Sequence, residues 1–120
     1  MNFSVEQKVA VTKVAMAMAE ADGKLETREG VLIALQTSSW NLGTTVFDAA
    51  VALSADVAMS IIASMTIEQK KFVCGYLACI SIADGSCSEK ESVLWKLVCN
   101  LANFPTMTFG DALEFYKNHQ

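Results

Sequence analysis

The 120-residue chain carries 9 basic and 13 acidic residues, a formal charge of −4, with 52% hydrophobic residues, one proline and six glycines. This composition fits one compact globular domain and excludes a disordered chain, and its negative balance opposes binding to nucleic acid or anionic lipid. His119 is the sole histidine, which leaves little material for imidazole acid–base pairs or histidine-rich metal sites.

The first element is announced by Ser4-x-x-Gln7, a capping box in which hydroxyl and amide side chains satisfy the orphan amides of a helix start. It predicts a helix from Val5 to Glu20, apolar almost all round and therefore surrounded by other helices. Glu6 and Lys8 interrupt what a secretory leader would need, so a cytoplasmic protein is expected. Asp22-Gly23 stops this helix, with Gly23 expected in the left-handed region. Glu26 caps a second helix with Glu29 in its first turn; Val31, Leu32 and Leu35 are expected on the core face, and Trp40 at its end. Thr44 or Thr45 is expected to cap a short helix over Val46 to Leu53, and Ser54 another from Ala55 to Ser64.

Thr66-x-x-Gln69 then opens a helix from Ile67 to Ile82, Asp84-Gly85 ends it, and Ser88-x-x-Glu91 caps the next. Its core face is expected at Val93, Leu94, Leu97, Val98 and Leu101, with Phe104 closing it. The apolar run from Phe72 to Ala83 falls short of the ~20 residues that cross a bilayer, so it predicts a buried helix and no membrane insertion. After Pro105, Thr108 caps a last helix reaching about Tyr116.

Shifting the chain by 62 positions aligns Phe3 to Leu32 with Met65 to Leu94, giving 10 identities in 30 without a gap. One supersecondary unit used twice accounts for this. The predicted fold is an all-α single domain over residues 1–120 of about seven helices, built from two pseudo-symmetric helical hairpins near 3–35 and 65–97. The two central helices are expected to have matching neighbours.

Three constellations bear on chemistry. Asp22, Gly23, Leu25, Glu26 and Glu29 match part of a calcium loop, but Met18 and Glu20 stand where the first ligands belong, and Ile80 and Ile82 do so in the second unit. Helix capping accounts for the same spacing; the other reading is a weak divalent cation held jointly by Asp22, Glu29, Asp84 and Glu91. Cys74, Cys79, Cys87 and Cys99 lack a Cys-x2-Cys clamp and correspond in the first unit to Thr12, Ala17, Leu25 and Thr37, so they read as core thiols rather than zinc ligands. Met16, Met18, Met59 and Met65 read as core filling, and Lys70, Lys71, Lys90 and Lys96 as solvated charges. With His119 on a terminal stretch no nucleophile has a base, so no enzymatic activity and no cofactor are expected.

At Ala21-Asp22-Gly23-Lys24-Leu25-Glu26-Thr27-Arg28-Glu29 and Ala83-Asp84-Gly85-Ser86-Cys87-Ser88-Glu89-Lys90-Glu91 the chain resembles the TerB-like family. The resemblance implies paired helical repeats, each with an Ala-Asp-Gly turn followed by acidic residues, in an all-α fold. It places the acidic positions of the family, proposed there for metal chelation or turn structure, on Asp22, Glu29, Asp84 and Glu91. Where such families often carry Asp-Pro before the glutamates, this chain has Glu26-Thr27 and Ser88-Glu89. The implied function is a non-catalytic accessory domain in bacterial stress or tellurite resistance, working through a protein partner.

Overall fold

The structure is a computed structural model that describes residues 1–20, 27–83, 89–101, 103–105 and 107–119. Among the described residues it is all-helical: α1 Val5–Ala19, α2 Thr27–Ser39, α3 Thr44–Ala52, α4 Ala55–Ala63, α5 Ile67–Ser81, α6 Glu89–Leu101 and α7 Phe109–Asn118. None of these helices is long and apolar enough to cross a membrane.

Both capping boxes form. Ser4 and Thr66 accept from the amides of Gln7 and Gln69 and donate their own amides to those glutamine side chains at 2.9 and 3.0 Å. The boxes also meet each other, since Gln69 Nε2 donates to Gln7 Oε1 at 3.2 Å and to the Asn2 carbonyl at 2.8 Å. The starts of α1 and α5 are thereby fixed side by side. Ser54 and Thr108 cap α4 and α7 as their sequences indicate. α3 differs: Thr44 is its first residue, and Gly43 holds the cap position with extended backbone and no side-chain acceptor.

α1 and α5 are the central helices. Ala10, Val11, Val14, Ala15, Met18 and Ala19 of α1 are buried, and in α5 every residue from Phe72 to Ala78 is buried. Small side chains on α1 let α3 and α4 approach it; α1 also packs on α2 and α6, and α5 likewise on α6 and α2, while the most extensive contact of α5 is with α7 and α4 is an additional neighbour of α1. Gly75 makes the α5–α7 approach possible, because a Cβ there would collide with the Ala112 carbonyl and the Tyr116 side chain. Buried hydroxyls are satisfied within their helices: Thr12 bonds the Lys8 carbonyl at 2.8 Å and Ser81 the Leu77 carbonyl at 3.0 Å.

α2 and α6 end alike. Asn41 and Asn103 have φ of 57° and 56°, and asparagine is the non-glycine residue best suited to that left-handed region. Leu42 and Asn41 donate to the carbonyls of Thr37 and Ser38, both at 3.0 Å, and Phe104 and Asn103 donate to those of Cys99 and Asn100 at 2.8 and 3.2 Å. Each set is a Schellman closure that satisfies terminal carbonyls. The left-handed glycines expected at Gly23 and Gly85 lie outside the described residues.

The buried side of these two helices corrects the sequence reading. Glu29, Ile33 and Gln36 of α2 are buried, as are Trp95 and Val98 of α6. Val31, Leu35, Val93 and Leu97, expected on the core, are instead 51, 62, 59 and 49% exposed. On α2 the aliphatic spacing marks the outer face because Glu29 and Gln36 go inward with Ile33, whereas on α6 Val98 is buried as its spacing predicts. Lys70 was also expected in solvent; it is buried, and its ammonium donates to the Asn103 carbonyl at 3.3 Å, at the closure of α6.

Candidate functional site

The end of α2, the middle of α5 and the end of α7 enclose a cleft of about 440 Å³ lined by Leu32, Leu35, Gln36, Ser39, Trp40, Phe72, Tyr116 and His119, with Met1 beside them. Its floor is aromatic. Phe3 lies 5.4 Å from both Trp40 and Phe72, Phe72 meets Tyr116 edge-on at 4.9 Å, and Tyr116 stacks on Tyr76 at 5.5 Å. Offset and edge-on pairs of this kind contribute about 0.5–1.5 kcal/mol each beyond area burial.

One polar contact ties this floor together. The Tyr116 hydroxyl donates to Gln36 Oε1 at 2.7 Å in a buried position, joining α7 to α2 across 80 residues of chain. Gln36 thus has a reason to face inward, since a buried amide needs a partner. Burial, with smaller contributions from Tyr116 and Cys79, pushes the Tyr76 phenol far above its ordinary range, so it stays neutral beneath the cleft. Leu35, 62% exposed, stands on the rim. His119 caps α7, with Nδ1 2.8 Å from the Phe115 carbonyl and its ring stacked on Phe115 at 4.0 Å. The lining therefore offers apolar, aromatic and amide surface, with one imidazole held against its own helix.

Of the residues singled out for an ion, Asp22 and Asp84 lie outside the described residues, as does the Glu91 side chain. Glu29 is described: it is 2% exposed in the first turn of α2, where a helix start favours negative charge. Among the described residues no three His, Cys, Asp or Glu side chains come together as metal ligands. Met18 and Met65 are buried, and Met16 and Met59 pack against the core. Cys74 and Cys99 bring their sulfurs to 3.6 Å, a pairing that their spacing of 25 residues did not suggest.

Nothing in the sequence announces the pairing of Gln36 with Tyr116, which lie 80 positions apart.

No protein-family model and no curated protein matches the chain. Among solved structures it is similar to the crystal structure of a protein of unknown function, PG1108, from Porphyromonas gingivalis. The two share 32% sequence identity and a TM-score of 0.84, over 98% of this chain and 92% of that chain.

Proposed function

We propose that this chain, which belongs to the same family as the Porphyromonas gingivalis protein of unknown function, is a non-catalytic, TerB-like accessory domain that docks a protein partner through the α2–α5–α7 cleft. The observation that carries this reading is the cleft itself: a buried aromatic floor with exposed Leu35 at its rim. Interfaces concentrate their energy in apolar anchors seated in such pockets. The TerB-like resemblance supplies the setting, bacterial stress or tellurite resistance in the cytoplasm.

The pseudo-symmetric architecture belongs to the same reading. It is supported by α1 and α5, both 15 residues long, and by α2 and α6, both 13, with starts 62 positions apart. Asn41 and Asn103 keep that offset at the closures. Exposed apolar residues follow it too, in the pairs Val5 and Ile67, Val31 and Val93, and Leu35 and Leu97.

Affinity capture from the native host tests the docking reading. A partner retained by the wild-type chain should be weakened by tenfold or more, about 1.4 kcal/mol, by Leu35→Asp and unchanged by Val93→Asp, with both variants keeping full helicity. Equal retention by all three would place docking elsewhere. A second reading is a divalent-cation site formed by Asp22, Glu29, Asp84 and Glu91, the acidic positions of the two units.

A further inference from the structure

Cys74 on α5 and Cys99 on α6 have sulfurs 3.6 Å apart and carry free thiols. They lie outside the aromatic cleft, in a separate one of about 340 Å³ bordered by Lys96, Asn100, Phe104 and Met107. Cys74 is 1% exposed, whereas Cys99 is half-buried, so one sulfur is reachable from solvent and the other stands behind it. Both backbones are held: Trp95 Nε1 donates to the Cys74 carbonyl at 3.0 Å, and the Phe104 amide to that of Cys99 at 2.8 Å. At the 62-residue offset stand Thr12 and Thr37, whose hydroxyls bond the Lys8 and Ala34 carbonyls of their own helices. Nothing in the packing of such positions demands sulfur.

We infer that Cys74 and Cys99 form a dithiol site that a hydroperoxide oxidises to an intramolecular disulfide, with Cys99 oxidised first and Cys74 resolving it. The inference is independent of the docking reading. The hydrogen bond from Cys74 holds the Cys99 thiol below its usual range although burial opposes this, and the same bond together with burial pushes Cys74 far above it.

In the first step the Cys99 thiolate attacks the terminal peroxide oxygen, and the O–O bond breaks. The leaving alkoxide takes the electron pair and a proton from water, and Cys99 becomes a sulfenic acid. With that thiolate consumed, the charge opposing ionisation of Cys74 is gone. Cys74 sulfur then attacks Cys99 sulfur and displaces hydroxide, which leaves as water with the Cys74 proton. Two thiols and one hydroperoxide thus yield one disulfide, one alcohol and one water. Closing the pair takes an approach of about 1.5 Å, from the present 3.6 Å to the ~2.05 Å of a disulfide.

The test treats the reduced full-length chain with one equivalent of hydrogen peroxide, alkylates it in denaturant and maps the peptides. The expected result is a Cys74–Cys99 linkage within one chain, reversed by dithiothreitol, with Cys79 still alkylated. Before oxidation Cys99 should alkylate at neutral pH faster than Cys79, whose thiol burial pushes up. In Cys74→Ser the sulfenic acid should persist at Cys99 and be trapped by dimedone. Oxidant consumed while Cys74 and Cys99 both remain alkylatable would overturn the inference, as would linkage of Cys99 to Cys87 or to another chain. Mapping of the wild-type chain decides this even if the serine variant fails to fold.

Discussion

Asn41 and Asn103 do by side-chain chemistry what glycine usually does by lacking a side chain, holding φ near +57° so that α2 and α6 can close. Replacing either with alanine should cost about 1–2 kcal/mol, the left-handed penalty for a Cβ without a local hydrogen-bonding group. Asn→Gly should be neutral or better, and urea midpoints of the four single variants check both signs. Tyr116→Phe removes a hydroxyl donated to a buried acceptor, so it should destabilise by about 1–3 kcal/mol while leaving the helix content unchanged by circular dichroism. The capping residues Ser4 and Thr66 were legible because each acts within three positions of itself. Gln36 was not, because its reason for being buried is a tyrosine 80 positions away.

Among the elements, α5 and α7 make the most extensive contact, and they approach closely at Gly75. Gly75→Ala should destabilise by at least about 1–3 kcal/mol, the range for overpacking, since the obstacle includes backbone rather than a movable side-chain tip. The same substitution at Gly110, where a Cβ meets nothing nearer than Thr108 Oγ1 at 4.0 Å, should stabilise by up to about 1 kcal/mol through helix propensity. Opposite shifts in melting temperature are the expected pair of results. Helix number, order and type could be read from the sequence because caps and apolar runs are local signals. The inward faces of α2 and α6 were legible only in part: Val98 is buried where its spacing places it, whereas Val31, Leu35, Val93 and Leu97 have helical spacing and yet lie outward. An aliphatic stripe marks a face that can be buried, and tertiary partners decide which face is.

At the scale of the molecule, the other five helices among the described residues gather around α1 and α5, and their assembly creates a cleft whose residues run from Met1 to His119. No local pattern announces such a site. The alternative cation site makes a separate prediction: if Asp22, Glu29, Asp84 and Glu91 hold an ion, calcium, magnesium, manganese or zinc at a hundredfold excess over its Kd adds about 2.7 kcal/mol. EDTA should then lower the melting temperature of the purified chain, and Asp22→Asn with Asp84→Asn should abolish both shifts. Identical melts under all conditions would eliminate the ion. The docking reading is tested most directly by a photo-crosslinking amino acid placed at residue 35 or, as control, at residue 93, in the chain expressed in its native host. Both positions are exposed, and of the two only Leu35 lines the aromatic cleft. The account predicts one discrete crosslinked protein from position 35 and none from position 93; no adduct at 35, or the same adduct at both, would contradict it.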